Sequence, residues 1–192
     1  MQRRQFLIGM AAIGTVGAGS MMLARTLGAH PLAVQSSAKA PDLRGLLLQL
    51  KALQGKRLIS HGVWSPTEIF QHLAQSVRGS YQGYPQMQSA WFRETVGPLA
   101  FEFFQLKGQM YHSLSAPIPG MPAFISTESV EHSLATLIAV LEEFFQVEQL
   151  FPHFAYGELS AQEYQTAHLL HIQQHLTELT LAVEFEQVFE AL

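Results

Sequence analysis

Three histidines near the C-terminal end of the chain share one face of a predicted helix. His168, His171 and His175 lie within eight residues. Because a helix turns about 100° per residue, His168 and His175 fall at roughly +60° and +40° from His171. The three imidazoles therefore project from one side. Imidazole is the commonest side-chain metal ligand near neutral pH, so this face is a candidate site for a divalent cation.

Two pairs within this run have chelating spacings. His171 and His175 stand at i, i+4, which allows two rings on successive turns to bind one ion, and His168 and His171 stand at i, i+3. The alternative is a surface or half-buried histidine face without a metal, and this helix alone does not decide between the two. A complete site needs a ligand from another helix.

His72 is the best candidate for that further ligand. It lies on a second predicted helix and flanks the apolar residues Ile69 and Leu73. Ser76, one turn later, is small and leaves room near an ion. The alternative is a hydrogen-bonded histidine at the edge of the core, and for His72 taken alone that alternative is the better one.

Composition limits the chemistry of such a site. The chain has 192 residues, a formal net charge of −4 and no cysteine. The acidic balance argues against a nucleic-acid partner. The absence of cysteine excludes disulfides, thiolate metal sites and cysteine nucleophiles. A metal must then use histidine, carboxylate, amide or water.

The N-terminus has the pattern of an export signal. Arg3 and Arg4 precede Phe-Leu and a mildly apolar stretch, which resembles a twin-arginine signal. Gln2 and Ile8 depart from the usual residues of that motif. The resemblance implies export of the folded protein through the Tat machinery to the periplasm. The alternative is an inner-membrane anchor formed by residues 8–27.

The rest of the chain reads as one helical domain. We assign residues 1–40 to the signal and its linker, and residues 41–192 to the domain. Two helix starts are capping boxes, Ser65 with Glu68 and Ser160 with Glu163. The predicted elements are helices over about 42–53, 66–82, 127–147 and 161 to the C-terminal end, a weaker helix over 88–107 broken at Gly97-Pro98, and a loop over 108–122. No convincing strand pair is present, and four long amphipathic helices indicate an all-α bundle.

Two segments resemble a known superfamily. The run from Trp64 to Ser76 is similar to the second-helix motif of the DinB-like superfamily, which carries one ligand histidine. Residues 171–179 resemble its last-helix HxxxH motif. The run Ala-Pro-Ile-Pro-Gly-Met-Pro at residues 116–122 is similar to a loop in an uncharacterised branch, a domain-of-unknown-function family. The resemblance spans about residues 42–185.

The resemblance implies a fold and a ligand set. The fold is a DinB-like four-helix bundle with an extra short helix and a long Pro/Gly loop between the second and third long helices. The ligands of a divalent metal are His72, His171 and His175, and His168 lies beside a ligand or at the surface. Three protein ligands plus water leave an open coordination position. Histidine ligands suit zinc, nickel or iron, and copper equally, so the metal stays undetermined.

Other polar residues receive simpler interpretations. Glu178 is either a group that orients a ligand histidine or bound water, or, more simply, a solvated carboxylate. The pair at 177–178 departs from the family's common Arg-Gln, which weakens any inference about substrate. We expect the remaining loop and helix-start histidines at the surface and both tryptophans as packing anchors: His61, His112, His132, His153, Trp64 and Trp91.

Two functions remain open. The first is a metal-dependent transferase or hydrolase acting on an unknown small molecule, in which the ion lowers the pKa of a bound thiol or water. The second is a non-catalytic metal-binding or structural bundle. A homodimer stays an open alternative for the assembly.

Overall fold

The computed structural model describes residues 42–182. This part of the chain is mostly helical, which agrees with the all-α class. The assigned signal (1–40) lies outside the described residues, as does the alternative anchor at 8–27. Among the described residues, no helix has the length and apolar character needed to cross a membrane. The elements are α1 (Leu43–Ala52), β1 (Leu58–Ser60), α2 (Pro66–Gln82), α3 (Ala90–Glu94), α4 (Val96–Lys107), α5 (Val130–Phe144), α6 (Ala161–Leu176) and β2 (Leu179–Leu181).

Both predicted capping boxes are present. At α2, the backbone N–H of Ser65 donates to the Glu68 carboxylate at 2.7 Å, and the Ser65 hydroxyl accepts from the Glu68 N–H at 3.3 Å. Ser160 and Glu163 repeat this arrangement at α6. Each box satisfies backbone donors that the helix cannot pair itself. The starts of the two helices that carry the histidines are therefore fixed locally.

The core joins four of the helices. Helix α2 packs mainly against α5 and also against α6, while α1 packs against α5 and α6. Leu73 of α2, Leu137 of α5 and Leu50 of α1 are fully buried. Burial of each such side chain contributes on the order of 2 kcal/mol. The packing holds α2 beside α6, which brings His72 toward the histidines of the last helix.

The C-terminal part of the fold differs from the prediction. Helix α6 ends at Leu176, and the next residues form β2, which pairs antiparallel with β1 in the register Leu58↔Leu181 and Ser60↔Leu179. We expected a helix from residue 161 to the C-terminal end, and the described residues, which end at 182, show that this expectation is wrong. The expectation of no strand pair is wrong as well. Three-residue strands more than a hundred residues apart leave no periodic signal.

The middle of the chain also breaks at a different point. The weak helix predicted over 88–107, with a break around Gly97-Pro98, divides at Thr95, between α3 and α4 and two residues before Gly97. Pro98 lies in the first turn of α4, where the missing N–H costs no helical hydrogen bond. Residues 108–129, between α4 and α5, contain neither helix nor strand. This segment passes close to the histidines.

Candidate metal centre

Four histidines converge between α2, α6 and the irregular segment 108–129. They are His72 from α2, His171 and His175 from α6, and His112 from the segment. One ring nitrogen of each lies within 4.8 Å of the others. The structure thus brings together the three histidines singled out from the sequence and adds a fourth. His112 was expected at the surface, and that expectation is wrong.

The closest pair joins the two long helices. The Nε2 atoms of His72 and His171 are 3.1 Å apart, and their rings meet nearly edge to face. Nitrogens that share one zinc ion at about 2.0–2.1 Å are separated by about 3 to 3.5 Å. The spacing of this pair therefore suits two ligands of a single ion.

Several nitrogens of the cluster have no protein partner. Nδ1 of His72, Nε2 of His112 and both ring nitrogens of His175 are buried without a hydrogen bond. A buried polar atom without a partner costs roughly 1–3 kcal/mol. His175 is fully buried, so water does not relieve that cost. A cation bound by one nitrogen of each ring would satisfy His112 Nε2 and one of the two His175 nitrogens, so the donor set fits a metal.

Gln174 fixes the orientation of His112. The amide nitrogen of Gln174 donates to the His112 carbonyl oxygen at 3.2 Å, so its oxygen Oε1 must face the ring. That oxygen lies 2.5 Å from His112 Nδ1 and can only accept. His112 Nδ1 therefore carries the hydrogen, which leaves the lone pair on Nε2, the atom without a partner. This tautomer is the one that a metal ligand requires.

Ser76 contacts the His171 ring at Nδ1, the nitrogen that does not face His72. The Ser76 hydroxyl lies 3.1 Å from His171 Nδ1. The Ser76 carbonyl oxygen in turn accepts from the Tyr84 hydroxyl at 2.9 Å. The small side chain expected at position 76 therefore does more than leave space, because it contacts the nitrogen opposite Nε2.

The environment keeps the cluster uncharged. Burial and the neighbouring His112 lower the pKa of His72 to about 3. Burial, with His72 and His112 nearby, lowers the pKa of His175 to about 2. Burial also holds the pKa of His171 well below its usual range and lowers that of His112. Neutral imidazoles at pH 7 offer their lone pairs, as metal binding requires.

An aromatic wall closes one side of the cluster. Trp64 stacks parallel to His175 with ring centroids 5.9 Å apart and lies 4.8 Å from the centroid of His72. Phe124 meets Trp64 edge to face. Trp64 is therefore the packing anchor that we expected. Trp91 is not, because it is 67% exposed.

Two other histidines form a separate buried group. His168 is buried outside the four-histidine cluster, stacked on Tyr164 and edge to face with Phe144. His153, which we expected at the surface, is buried and stacks on Tyr156. Its loop folds inward through the His153–Gly157 bridge, which sequence patterns do not reveal.

Glu178 lies beyond the end of α6 rather than on its histidine face. Its carboxylate packs over Gly62, where a Cβ would overlap it, and its Oε2 atom is buried without a hydrogen bond. Burial raises the pKa of this carboxyl. The expected solvated carboxylate is therefore wrong, although Glu178 is not one of the clustered ligands. His61 and His132 are exposed, as expected.

The match to a known family covers most of the chain. Residues 34–182 match the model of a family described as a protein of unknown function, DUF1569. The chain belongs to this family. The comparisons with curated proteins and with solved structures gave no match. The family's description assigns no activity, so the geometry of the histidines is the basis for any proposed function.

Proposed function

We propose that this protein binds one divalent metal ion through His72, His171 and His175, with His112 as a fourth histidine within reach. The observation that carries the proposal is that one ring nitrogen from each of the four histidines lies within 4.8 Å of the others, in a cluster that holds buried nitrogens without a hydrogen bond. Their neutral state at pH 7 and the fixed tautomer of His112 support it further.

The arrangement of the helices supports a DinB-like bundle as the scaffold. The four helices that share the core, α1, α2, α5 and α6, would be its four long helices. The proline- and glycine-containing segment between α4 and α5 would be the long loop of the resemblance. In such bundles, side chains on facing helices build the metal site in the interior.

The ligand chemistry restricts the metal without naming it. All four available donors are imidazole nitrogens, a set that suits zinc, nickel or iron, and copper as well. Carboxylate-preferring ions such as magnesium and calcium fit poorly, because their ligands are oxygens.

We propose a metal-dependent transferase or hydrolase of a small molecule as the first function. A bound ion would supply Lewis acidity beside the cluster. Among the residues, Ser76 and Gln174 would hold the rings of His171 and His112 in place, and Trp64 would exclude water from His175 and His72.

The fourth histidine favours a second candidate function. Structural metal sites are closed by four protein ligands, whereas catalytic sites keep a position open. If His112 stays bound permanently, the centre is a non-catalytic binding or structural site. Binding would then stabilise the fold without giving access to a substrate.

We also propose that residues 1–40 direct export through the Tat machinery to the periplasm. The twin-arginine pattern supports this proposal, and folded export would allow the metal to be loaded before transport. Fractionation of cells that express the Arg3→Lys/Arg4→Lys double variant tests it, since intact export of that variant would contradict the twin-arginine assignment.

Metal content tests the central proposal. We expect about one equivalent of metal in the purified protein and a loss of most of it in His72→Ala. His132→Ala is the matched control, because His132 is exposed and lies outside the cluster. Circular dichroism verifies that each variant folds. Absence of stoichiometric metal in the wild type, or an unchanged content in folded His72→Ala, would refute the proposal.

A further inference from the structure

The segment that carries His112 is anchored at two points with little between them. Met110 and Ile118 are both buried. The seven residues between them, 111–117, are exposed or half-buried, apart from the buried Nε2 atom of His112, and we call them the strap. Because a local opening costs least where few apolar contacts are broken, the strap can move while its anchors stay in place.

The hydrogen bonds between the strap and α6 all come from one side chain, Gln174. The His112 ring also meets the rings of His171 and His175 edge to face. At the start of the strap, the Tyr111 ring contacts Phe103 and Phe104 of α4. Gln174 makes both of its hydrogen bonds to His112, one to the ring and one to the backbone. The chain beyond Ile118 is held separately by α2. Gln71 exchanges two hydrogen bonds with the backbone of Ile125, and Gln75 donates to the Pro122 carbonyl oxygen. Release of Gln174 therefore frees the strap without freeing the rest of the segment.

The other three histidines have no such freedom. His72, His171 and His175 lie within helices, where their backbone groups are paired along the helix axis. The ring of His175 is covered by Trp64, and that of His171 is held by Ser76. Movement of any of these rings would require a shift of a packed helix or of the core.

We infer that His112 is a removable ligand, and that swinging of the strap away from α6 opens one coordination position for a small donor molecule. This inference rests on the proposed metal site. The inference adds to the proposed metal site by assigning three permanent ligands and one exchangeable ligand. It also explains how a cluster of four histidines could still be a reactive centre, because the fourth coordination position is filled only while the strap holds His112 against α6.

The exchange needs no other reactant. With a metal bound, His112 Nε2 would give up its coordinate bond, and a lone pair of the entering molecule would form the new one. His112 keeps its hydrogen on Nδ1 throughout, so no proton or electron moves. The entering molecule is a small nitrogen, oxygen or sulfur donor, and imidazole itself is the simplest probe of this class.

Ligand titration of the cobalt(II)-loaded protein tests the inference. Cobalt absorption in the visible range reports the number and type of ligands, so binding of added imidazole is directly measurable. In Gln174→Ala the strap loses both hydrogen bonds, which should lower the apparent Kd for imidazole by about tenfold or more. In His112→Ala the position is vacant, and imidazole should bind most tightly.

The controls separate this inference from the metal site itself. Gln173→Ala changes the same residue type on the same helix but removes no contact to the strap, so its imidazole affinity should match the wild type. His112→Ala should retain one equivalent of cobalt, whereas His72→Ala should lose it. If the wild type binds no cobalt, the proposed function fails, and the inference fails with it.

Two results would overturn the inference alone. The first is a wild type that binds cobalt while Gln174→Ala shows the imidazole affinity of the wild type. The second is a folded His112→Ala that loses cobalt as completely as His72→Ala, since His112 would then be a permanent ligand. If His112→Ala does not fold, Gln174→Ala decides the question.

Discussion

His168 should make the stability of the protein depend steeply on pH. Its ring is 2% exposed, lies between Tyr164 and Phe144, and has a buried Nε2 without a hydrogen bond. Burial lowers its pKa from 6.5 to about 3. His168 lies outside the four-histidine cluster, but its charge also lowers the pKa of His171, so its contribution is measured as the difference between the wild type and a variant without it.

The sign and size of the effect follow from proton linkage. Between pH 6.5 and about 3, the unfolded chain binds a proton at His168 that the folded chain does not bind, so stability falls as the pH falls. One such proton costs about 1.4 kcal/mol per pH unit. From pH 6.5, where the ring in the unfolded chain is half protonated, to pH 4.5, this histidine alone removes about 2 kcal/mol, a sizeable part of the roughly 5–15 kcal/mol of a typical domain.

Urea unfolding at a series of pH values measures this contribution. Metal-free wild type and His168→Leu are compared between pH 7.5 and pH 4.5, with a chelator present. As the pH is lowered, the free energy of unfolding of His168→Leu should decrease by about 1 kcal/mol less per pH unit than that of the wild type. At pH 7.5 the substitution should be close to neutral, because it removes a buried nitrogen that has no partner.

His132→Leu is the matched control for the slope. His132 is exposed on α5, with its ring 3.4 Å from the Glu128 carboxylate. Because an exposed pair of this kind contributes little, substitution of His132 should change the slope far less than His168→Leu does. Parallel stability curves for the wild type and His168→Leu would refute the reasoning, because His168 would then accept a proton in the folded protein without cost.

Three further predictions concern the metal and the packing around it. Saturating zinc at about 100 times Kd should stabilise the wild type by about 3 kcal/mol and leave His175→Ala unchanged, and an equal shift in both thermal melts would contradict the site. Ser76→Ala should weaken zinc binding by about tenfold or more in a competition titration, because His171 loses its orienting partner; unchanged affinity would show that Ser76 does not orient the ring. Gly97→Ala should lower stability by several kcal/mol in thermal unfolding, because its Cβ would overlap the Ala155 carbonyl oxygen; a variant as stable as the wild type would refute that close approach.

The helices could be predicted because their signals are local, whereas the three predicted members of the cluster also needed the resemblance. Capping boxes at Ser65 and Ser160 mark the helix starts within four residues of sequence. Helical spacing places His168, His171 and His175 on one face, and the choice of His171 and His175 as the ligand pair came from the resemblance. His72 required the resemblance as well, because a single histidine at the edge of an apolar face has no local feature that marks it as a ligand.

His112 could not be predicted because its position depends on tertiary contacts. No spacing rule relates it to α6, and it lies in a segment without regular structure. Its hydrogen-bond partner, Gln174, is one of several polar residues on the last helix, and no sequence feature distinguishes it from the others. The β1–β2 pair and the inward fold of the loop at His153 were missed for the same reason, since each depends on contacts that leave no period in the sequence.

X-ray absorption spectroscopy of the metal-loaded protein tests the central claim most directly. The spectrum at the metal edge reports the identity of the coordinating atoms and the scattering that is characteristic of imidazole rings. We predict a shell of nitrogen or oxygen donors that includes at least three imidazoles in the wild type, and a loss of most of the bound metal in His171→Ala. A metal bound without imidazole scattering, or a spectrum unchanged in His171→Ala, would contradict a histidine metal centre in this protein.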